Sequence, residues 1–338
     1  MGNLADSLSA AFAARPDPAA VPAASVAVVQ DRNEVAAAWG ADNRTLFQAA
    51  SISKPVAAFM VLRLTAQGKL SLDADVNEYL TSWQLPGDNR KPPVTVRHLL
   101  CHSGALTVSG VPGYQQGQTL PSLTEILDGL PPANTPAVRR DGPPGHAHRY
   151  SGGGYVILQQ LLENVTAQTF PDLAAELIFE PARMTTATYA VSRPAKAATA
   201  HVNGREVDWH VHPELAAAGL WCTPTDLVRF ARVIQDAVAG QTDALLPRHL
   251  AREMVTPQVD GWGLGLRLSD HGAHQRFSHG GYNYGYKCVV IGAVHRAEAV
   301  SVMTGSDRGS PAIGSLLAAV RENTSWRDLP DSQDGPTW

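Results

Sequence analysis

The stretch Phe47-Gln48-Ala49-Ala50-Ser51-Ile52-Ser53-Lys54-Pro55 decides how the rest of the chain is read. Proline has no amide hydrogen and clashes with the preceding turn, so a helix accepts it only near its start. The apolar residues Val56, Phe59, Met60, Leu62 and Leu64 then fit one broad helical face. The helix is therefore predicted to begin at about Ser51, with Lys54 one turn further on the same face. A serine hydroxyl is a poor nucleophile until a base takes its proton. A lysine in a dry pocket has a lowered pKa and can help to take it. The helix N-terminus adds a backbone N–H and a positive dipole end near a forming oxyanion. Standing alone, the same S-x-x-K pattern also fits a helix cap followed by a surface lysine.

Two more motifs carry candidate chemistry. Tyr150-Ser151-Gly152-Gly153-Gly154-Tyr155 precedes a second helical pattern, with Leu158, Leu161, Leu162 and Val165 at i, i+3, i+4 and i+7. Its glycines let the backbone pass close to something bulky or take a positive φ. Tyr150 at such a turn can point its hydroxyl into a cleft, where a nearby ammonium would lower its pKa and make it a usable base. Neither G-x-x-x-x-G-K-[ST] nor G-x-G-x-x-G occurs here, which argues against a phosphate-cradling loop. The third motif is Phe277-Ser278-His279-Gly280-Gly281-Tyr282. Glycines on a strand let a substrate lie against it. The Tyr282 N–H is then a candidate oxyanion donor, and His279 is expected beside the reacting carbonyl.

The chain has 338 residues with 27 basic and 31 acidic side chains, a net charge of −4. That balance gives no basic excess for nucleic acid and no polybasic run for an anionic membrane. No stretch of 18 or more apolar residues reads as a membrane helix. Leu4, Leu8 and Phe12 recur every four residues, so the first residues are expected to form a short amphipathic helix rather than a signal peptide. Three scattered cysteines, Cys101, Cys222 and Cys288, suit free thiols packed as small hydrophobes in a reducing compartment, so a cytoplasmic location is expected. His210-Val211-His212 and His146-Ala147-His148 read as ordinary polar residues, since no third ligand is evident. No metal and no cofactor is expected.

Strand candidates sit at both ends of the chain: Ser25 to Val29 and Glu34 to Trp39, then Tyr286 to Ile291 and Ala297 to Met303. Helical patterns lie between them, at Val96 to Cys101, Leu123 to Leu130 and Pro224 to Val238, and Ala312 to Val320 closes the chain. This order predicts an α/β (α+β) fold in which the termini meet in one sheet. Residues 1–60 and 255–325 are assigned to a sheet-plus-helix subdomain and 61–254 to a mostly helical insert, with the site between them. Residues 326–338 are read as a loosely held polar tail. Loops in 85–148 and 185–215 are expected at the cleft mouth, with Tyr114, Trp209, Trp221 and Tyr284 as possible walls.

Taken together, Ser51-Ile52-Ser53-Lys54, Tyr150-Ser151-Gly152 and His279-Gly280-Gly281 resemble, in that order, the motifs of the serine β-lactamase and penicillin-binding-protein superfamily. The branch resembled is that of class C β-lactamases, esterases and D-peptidases. Leu99-Leu100-Cys101-His102-Ser103-Gly104, Phe179 to Thr185, Ala218 to Thr223 and Gly261 to Gly265 extend the likeness. The resemblance implies a β-lactamase/transpeptidase-like fold, an antiparallel sheet flanked by helices with a mostly helical insert. It implies that Ser51 attacks an ester or amide of a small molecule and that Lys54 and Tyr150 remove its proton. Tyr150 then protonates the leaving group, and the Ser51 and Tyr282 N–H groups hold the oxyanion. Gly152, His279, Gly280 and Gly281 are implied to line the substrate site. The family's second motif usually ends in Asn, where this chain has Gly152. Its third usually begins with Lys in β-lactamases, where this chain has His279. Both departures favour an esterase or amidase over a β-lactamase. Acyl transfer by the same acyl-enzyme, or ligand binding without turnover, are the alternatives.

Overall fold

The computed structural model describes residues 2–31, 33–87, 92–269 and 271–330. Strands β1 (Ala24–Gln30) and β2 (Asn33–Trp39) form a hairpin. Short strands follow: β3 (Phe47–Gln48), the hairpin of β4 (Ala200–Val202) and β5 (Arg205–Val207), and β6 (Trp221–Cys222), which pairs with β3. The last strands are β7 (Arg267–Ser269), β8 (Arg276–Asn283), β9 (Tyr286–Ala293) and β10 (Glu298–Thr304). The main sheet runs β2-β1-β10-β9-β8-β7 and is antiparallel throughout. β1 lies along β10 from Ala24↔Thr304 to Gln30↔Glu298. The two ends of the chain thus meet in one sheet, as the order of its elements predicts.

Among the described residues the α-helices are α1 (Gly2–Ala13), α2 (Ser53–Ala66), α3 (Val96–Leu100), α4 (Leu123–Asp128), α5 (Gly152–Thr166), α6 (Phe170–Ala174), α7 (Leu215–Ala218), α8 (Pro224–Ala239), α9 (Arg248–Met254) and α10 (Ser310–Asn323). Alternation along the strands splits the core in two. Val26, Val28, Ile291, Val300 and Val302 pack on one face against Leu8 and Phe12 of α1 and Leu316 and Val320 of α10. Ala27, Val29, Val290, Ala299 and Met303 join the larger core on the other face. There α8 crosses β1, β9 and β10, although its sequence position falls in the stretch assigned to the helical insert. Thr223 caps α8 by accepting from the Asp226 N–H, and Pro224 follows at the first turn.

Two expectations are corrected. The broad apolar face read for α2 is in fact a helix buried on all sides: Ser53 to Leu62 are all buried. It runs between α5, α6 and α7 rather than along a surface, so no polar face is needed. The loosely held tail does not begin at Trp326. Trp326 and Leu329 are buried in the α1–α10 core, where their apolar area leaves water. Residues 331–338 lie outside the described residues.

The edge of β8 positions the site. β7 pairs only with Arg276 to Ser278, so beyond Ser278 that edge faces the turn Ala50–Ile52. At Gly281 the approach is closest: a Cβ built there would lie 2.2 Å from the Ala49 carbonyl oxygen and 2.5 Å from Cys288 Sγ. Only glycine fits. Gly281→Ala is expected to cost about 1–3 kcal/mol in denaturant unfolding and to lower turnover, because the turn must retreat. Gly87→Ala, whose methyl meets nothing nearer than 4.0 Å, is the comparison expected to be near neutral.

Candidate active site

Ser51 sits in a single 3₁₀ turn, Ala50–Ile52, immediately ahead of α2, a refinement of the helix start read from Pro55. Ala50 takes φ +49°, a left-handed conformation uncommon outside glycine. The surroundings hold it there. Ser53 Oγ donates to the Ala50 carbonyl at 2.6 Å and accepts from the Leu220 N–H at 3.0 Å. The Ala49 N–H donates to the Leu220 carbonyl at 2.8 Å, and Cys288 Sγ lies 3.1 Å from the Ala49 carbonyl.

Lys54 is buried, and its Nζ reaches Ser51 Oγ at 3.0 Å and the Ala217 carbonyl at 2.8 Å. Among the described residues no carboxylate pairs with it within 4.0 Å. Burial without a counter-charge disfavours the ammonium and lowers its pKa to about 7. The ring of Tyr150 lies 4.9 Å from the same Nζ. Its hydroxyl is hydrogen-bonded with Ser51, which pulls the phenol pKa down, but desolvation outweighs this and the net shift is upward. The sequence reading expects a lowered phenol pKa. That expectation fails because burial penalises the phenolate more than the Ser51 hydrogen bond favours it. At neutral pH the amine is therefore the available base, and the phenol keeps its proton.

The second motif opens α5. Ser151 is the N-cap: its Oγ accepts from the Gly154 N–H at 2.9 Å and donates to the Val108 carbonyl at 2.9 Å. Gly152 meets the loop that follows α3. Its N–H donates to the Ser109 carbonyl at 2.7 Å, and a Cβ there would lie 3.0 Å from that oxygen.

In the third motif, strand geometry decides which groups face Ser51. Asn283 and Tyr286 flank a two-residue turn and form a hydrogen-bonded pair. Alternation then turns the Tyr282 N–H away from β9, toward the edge where the Ser51 turn sits. Gly280 and Gly281 are buried beneath that turn. The His279 ring is completely buried and lies 6.3 Å from the Tyr150 ring, outside the cleft lining, unlike the substrate contact expected for it. Burial and the nearby Lys54 lower its pKa to about 3, so it is neutral. Asn283, which the sequence analysis passes over, ties the site together. Its Nδ2 donates to Gln48 Oε1 at 2.7 Å and to the Ala218 carbonyl at 3.1 Å.

Ser51, Lys54 and Tyr150 open into a cleft of about 500 Å³. Ser109 to Pro112 form one wall; His210, His212, Tyr282 and Tyr284 form the other. Tyr284 stacks on His210 at 4.3 Å and 12°. Tyr114, Trp209 and Trp221, named as possible walls, are core residues instead. Among the described residues, Lys54 is the one lining residue of the Lys, Arg, Asp and Glu types.

A hydroxyl bonded at once to a readily neutral amine and a protonated phenol equips a protein to form and break acyl esters, the work of a serine hydrolase. The chain belongs to the Beta-lactamase family, which it matches over residues 8–320. It is 27% identical over 301 residues to penicillin-binding protein 4 of Amycolatopsis lactamdurans, covering 78% of this chain and 76% of that one. Esterase EstB of Burkholderia gladioli is 46% identical over a shorter stretch of 63 residues, 18% of this chain and 16% of the esterase. The structure of EstCE1, described as a hydrolase with promiscuous acyltransferase activity, shares the fold. Its TM-score is 0.76 at 18% identity, covering 94% of this chain and 98% of that one. Among the described residues no helix is long and apolar enough to cross a membrane.

The amine's state sets a pH dependence. Only neutral Lys54 accepts a proton, so kcat/KM for an ester is expected to rise as pH increases through about 7 and then level. A profile flat from about pH 6 to 9 would assign the proton to another group.

Proposed function

We propose that this protein hydrolyses neutral carboxylic esters of small molecules through an acyl-Ser51 intermediate. The observation that carries the proposal is the 3.0 Å contact of Lys54 Nζ with Ser51 Oγ, made on the same hydroxyl that bonds Tyr150. Neutral Lys54 takes the Ser51 proton as Oγ attacks the carbonyl carbon. The Ser51 and Tyr282 N–H groups stabilise the oxyanion, each donor contributing about 3–4 kcal/mol to the barrier. Tyr150 gives its proton to the departing alkoxide, and the Lys54 ammonium then passes the proton taken from Ser51 to the resulting phenolate. Water then attacks the acyl ester by the reverse proton path and releases the acid.

The lining of the cleft supports esters over peptides. A carboxypeptidase substrate brings a carboxylate and an aminopeptidase substrate an ammonium, and each needs an opposite charge. The walls offer tyrosines, valine, proline and the imidazoles of His210 and His212, with no acidic side chain and no arginine among the described lining residues, and His279 is buried and neutral. Gly152 has no side-chain amide for an acylamino group, and the Ser109 carbonyl fills the space beside it. The three buried free thiols suit a reducing compartment, which favours the cytoplasm.

Intact-protein mass after a fluorophosphonate, together with turnover of a chromogenic acyl ester, tests the proposal. Labelling and turnover are both expected, and both are expected to vanish in Ser51→Ala; survival of either in that variant overturns the assignment. Nitrocefin, D-alanyl-D-alanine peptides and D-amino-acid anilides are expected to turn over at least about 100-fold more slowly than the ester, the scale of a missing charge-recognition contact. Preference for one of them, faster acyl transfer to an added alcohol or amine, or ligand binding without acylation would each replace this reading with the corresponding activity.

A further inference from the structure

His102 lies outside the cleft lining, yet it holds Tyr150 from three directions. Its backbone carbonyl accepts from the Arg149 N–H at 2.7 Å. Its Nδ1 accepts from the Ser151 N–H at 3.1 Å. Its ring lies against the Tyr150 ring, with centroids 4.2 Å apart and planes at 31°. The residues before and after Tyr150 are thus both fastened to one side chain and its own peptide, and the phenol ring rests on the imidazole between them.

The Ser151 N–H belongs to an N-cap residue and lies outside the helical ladder, so it needs a partner from elsewhere. His102 is buried and adopts φ +58°, the left-handed region that side-chain-bearing residues rarely take. That conformation brings carbonyl and ring to the same strand of chain. Because Nδ1 accepts, the ring proton sits on Nε2, and the imidazole is neutral. Burial, with Lys54, His279 and His148 nearby, holds it in that state by pushing its pKa well below the ordinary histidine value.

We infer that His102 is a positioning residue that sets the phenol of Tyr150 on Ser51, acting through its Nδ1 acceptor and never touching substrate. The inference rests on Tyr150 being the proton donor proposed above. An acceptor at the Nδ1 position should therefore be what matters, rather than bulk or polarity. Asn places its Oδ1 near that position and tolerates a left-handed φ; Gln carries the same amide one methylene further out.

The test compares His102→Asn with His102→Gln in the full chain, measuring kcat and KM for a chromogenic ester alongside melting temperature. His102→Asn is expected within about fivefold of the parent kcat and His102→Gln at least about 20-fold below it, both with KM within about threefold. In a Tyr150→Phe background the Gln change is expected to remove less than about twofold more, since the group it acts through is gone. A Gln variant as fast as the Asn variant, or a full additional loss in the Tyr150→Phe background, overturns the inference. Should the Gln variant fail to fold, His102→Ala carries both comparisons. Near-normal kcat in Tyr150→Phe alone would instead defeat the role proposed for Tyr150, so the two failures are distinguishable.

Discussion

A buried lysine amine that borders the cleft without an opposing charge is the constraint on which the rest of the site turns. Taking an ammonium out of water is costly unless a carboxylate compensates. Here a serine hydroxyl and one main-chain carbonyl are its polar partners. The folded protein therefore tolerates the neutral amine readily, and a side chain that is ordinarily a permanent cation becomes a proton acceptor near neutral pH.

Geometry around that amine is delivered by pieces remote in sequence. The sheet edge at β8 brings up the third motif, and Gly281 permits contact between backbones that a methyl group would separate. Asn283 links the strand to Gln48 beside the Ser51 turn and to Ala218 at the end of α7. The turn, the sheet edge and the α7 carbonyl are thus referenced to one another through buried hydrogen bonds, which are strong specifiers where water cannot compete.

Much of this was legible in the residues. Pro55 marked the helix start, strands at both ends implied one sheet, and the Ser-x-x-Lys spacing implied the contact that the structure contains. What could not be read depended on long-range burial. The direction of the Tyr150 shift hinges on how far each group is desolvated, which no local pattern encodes. His279 carries the right motif position, but its ring is fully buried 6.3 Å from the Tyr150 ring, a depth of burial that the motif alone does not reveal. His102 lies about fifty residues from the tyrosine it holds, and Asn283 looks like a turn residue until its partners are seen. The cleft walls at Ser109 to Pro112 and at His210 and His212 fall within the two stretches, 85–148 and 185–215, expected at the cleft mouth, but which of their side chains face the site depends on packing that composition does not encode.

The sheet also acts as a partition. Its outer layer, built from α1, α10 and Trp326, forms an apolar cluster separate from the one that surrounds the Ser51 turn. Substitutions in that outer layer can alter heat tolerance while leaving the chemistry alone. A breeder of sturdier variants has a whole side of the molecule to redesign before the cleft feels any change.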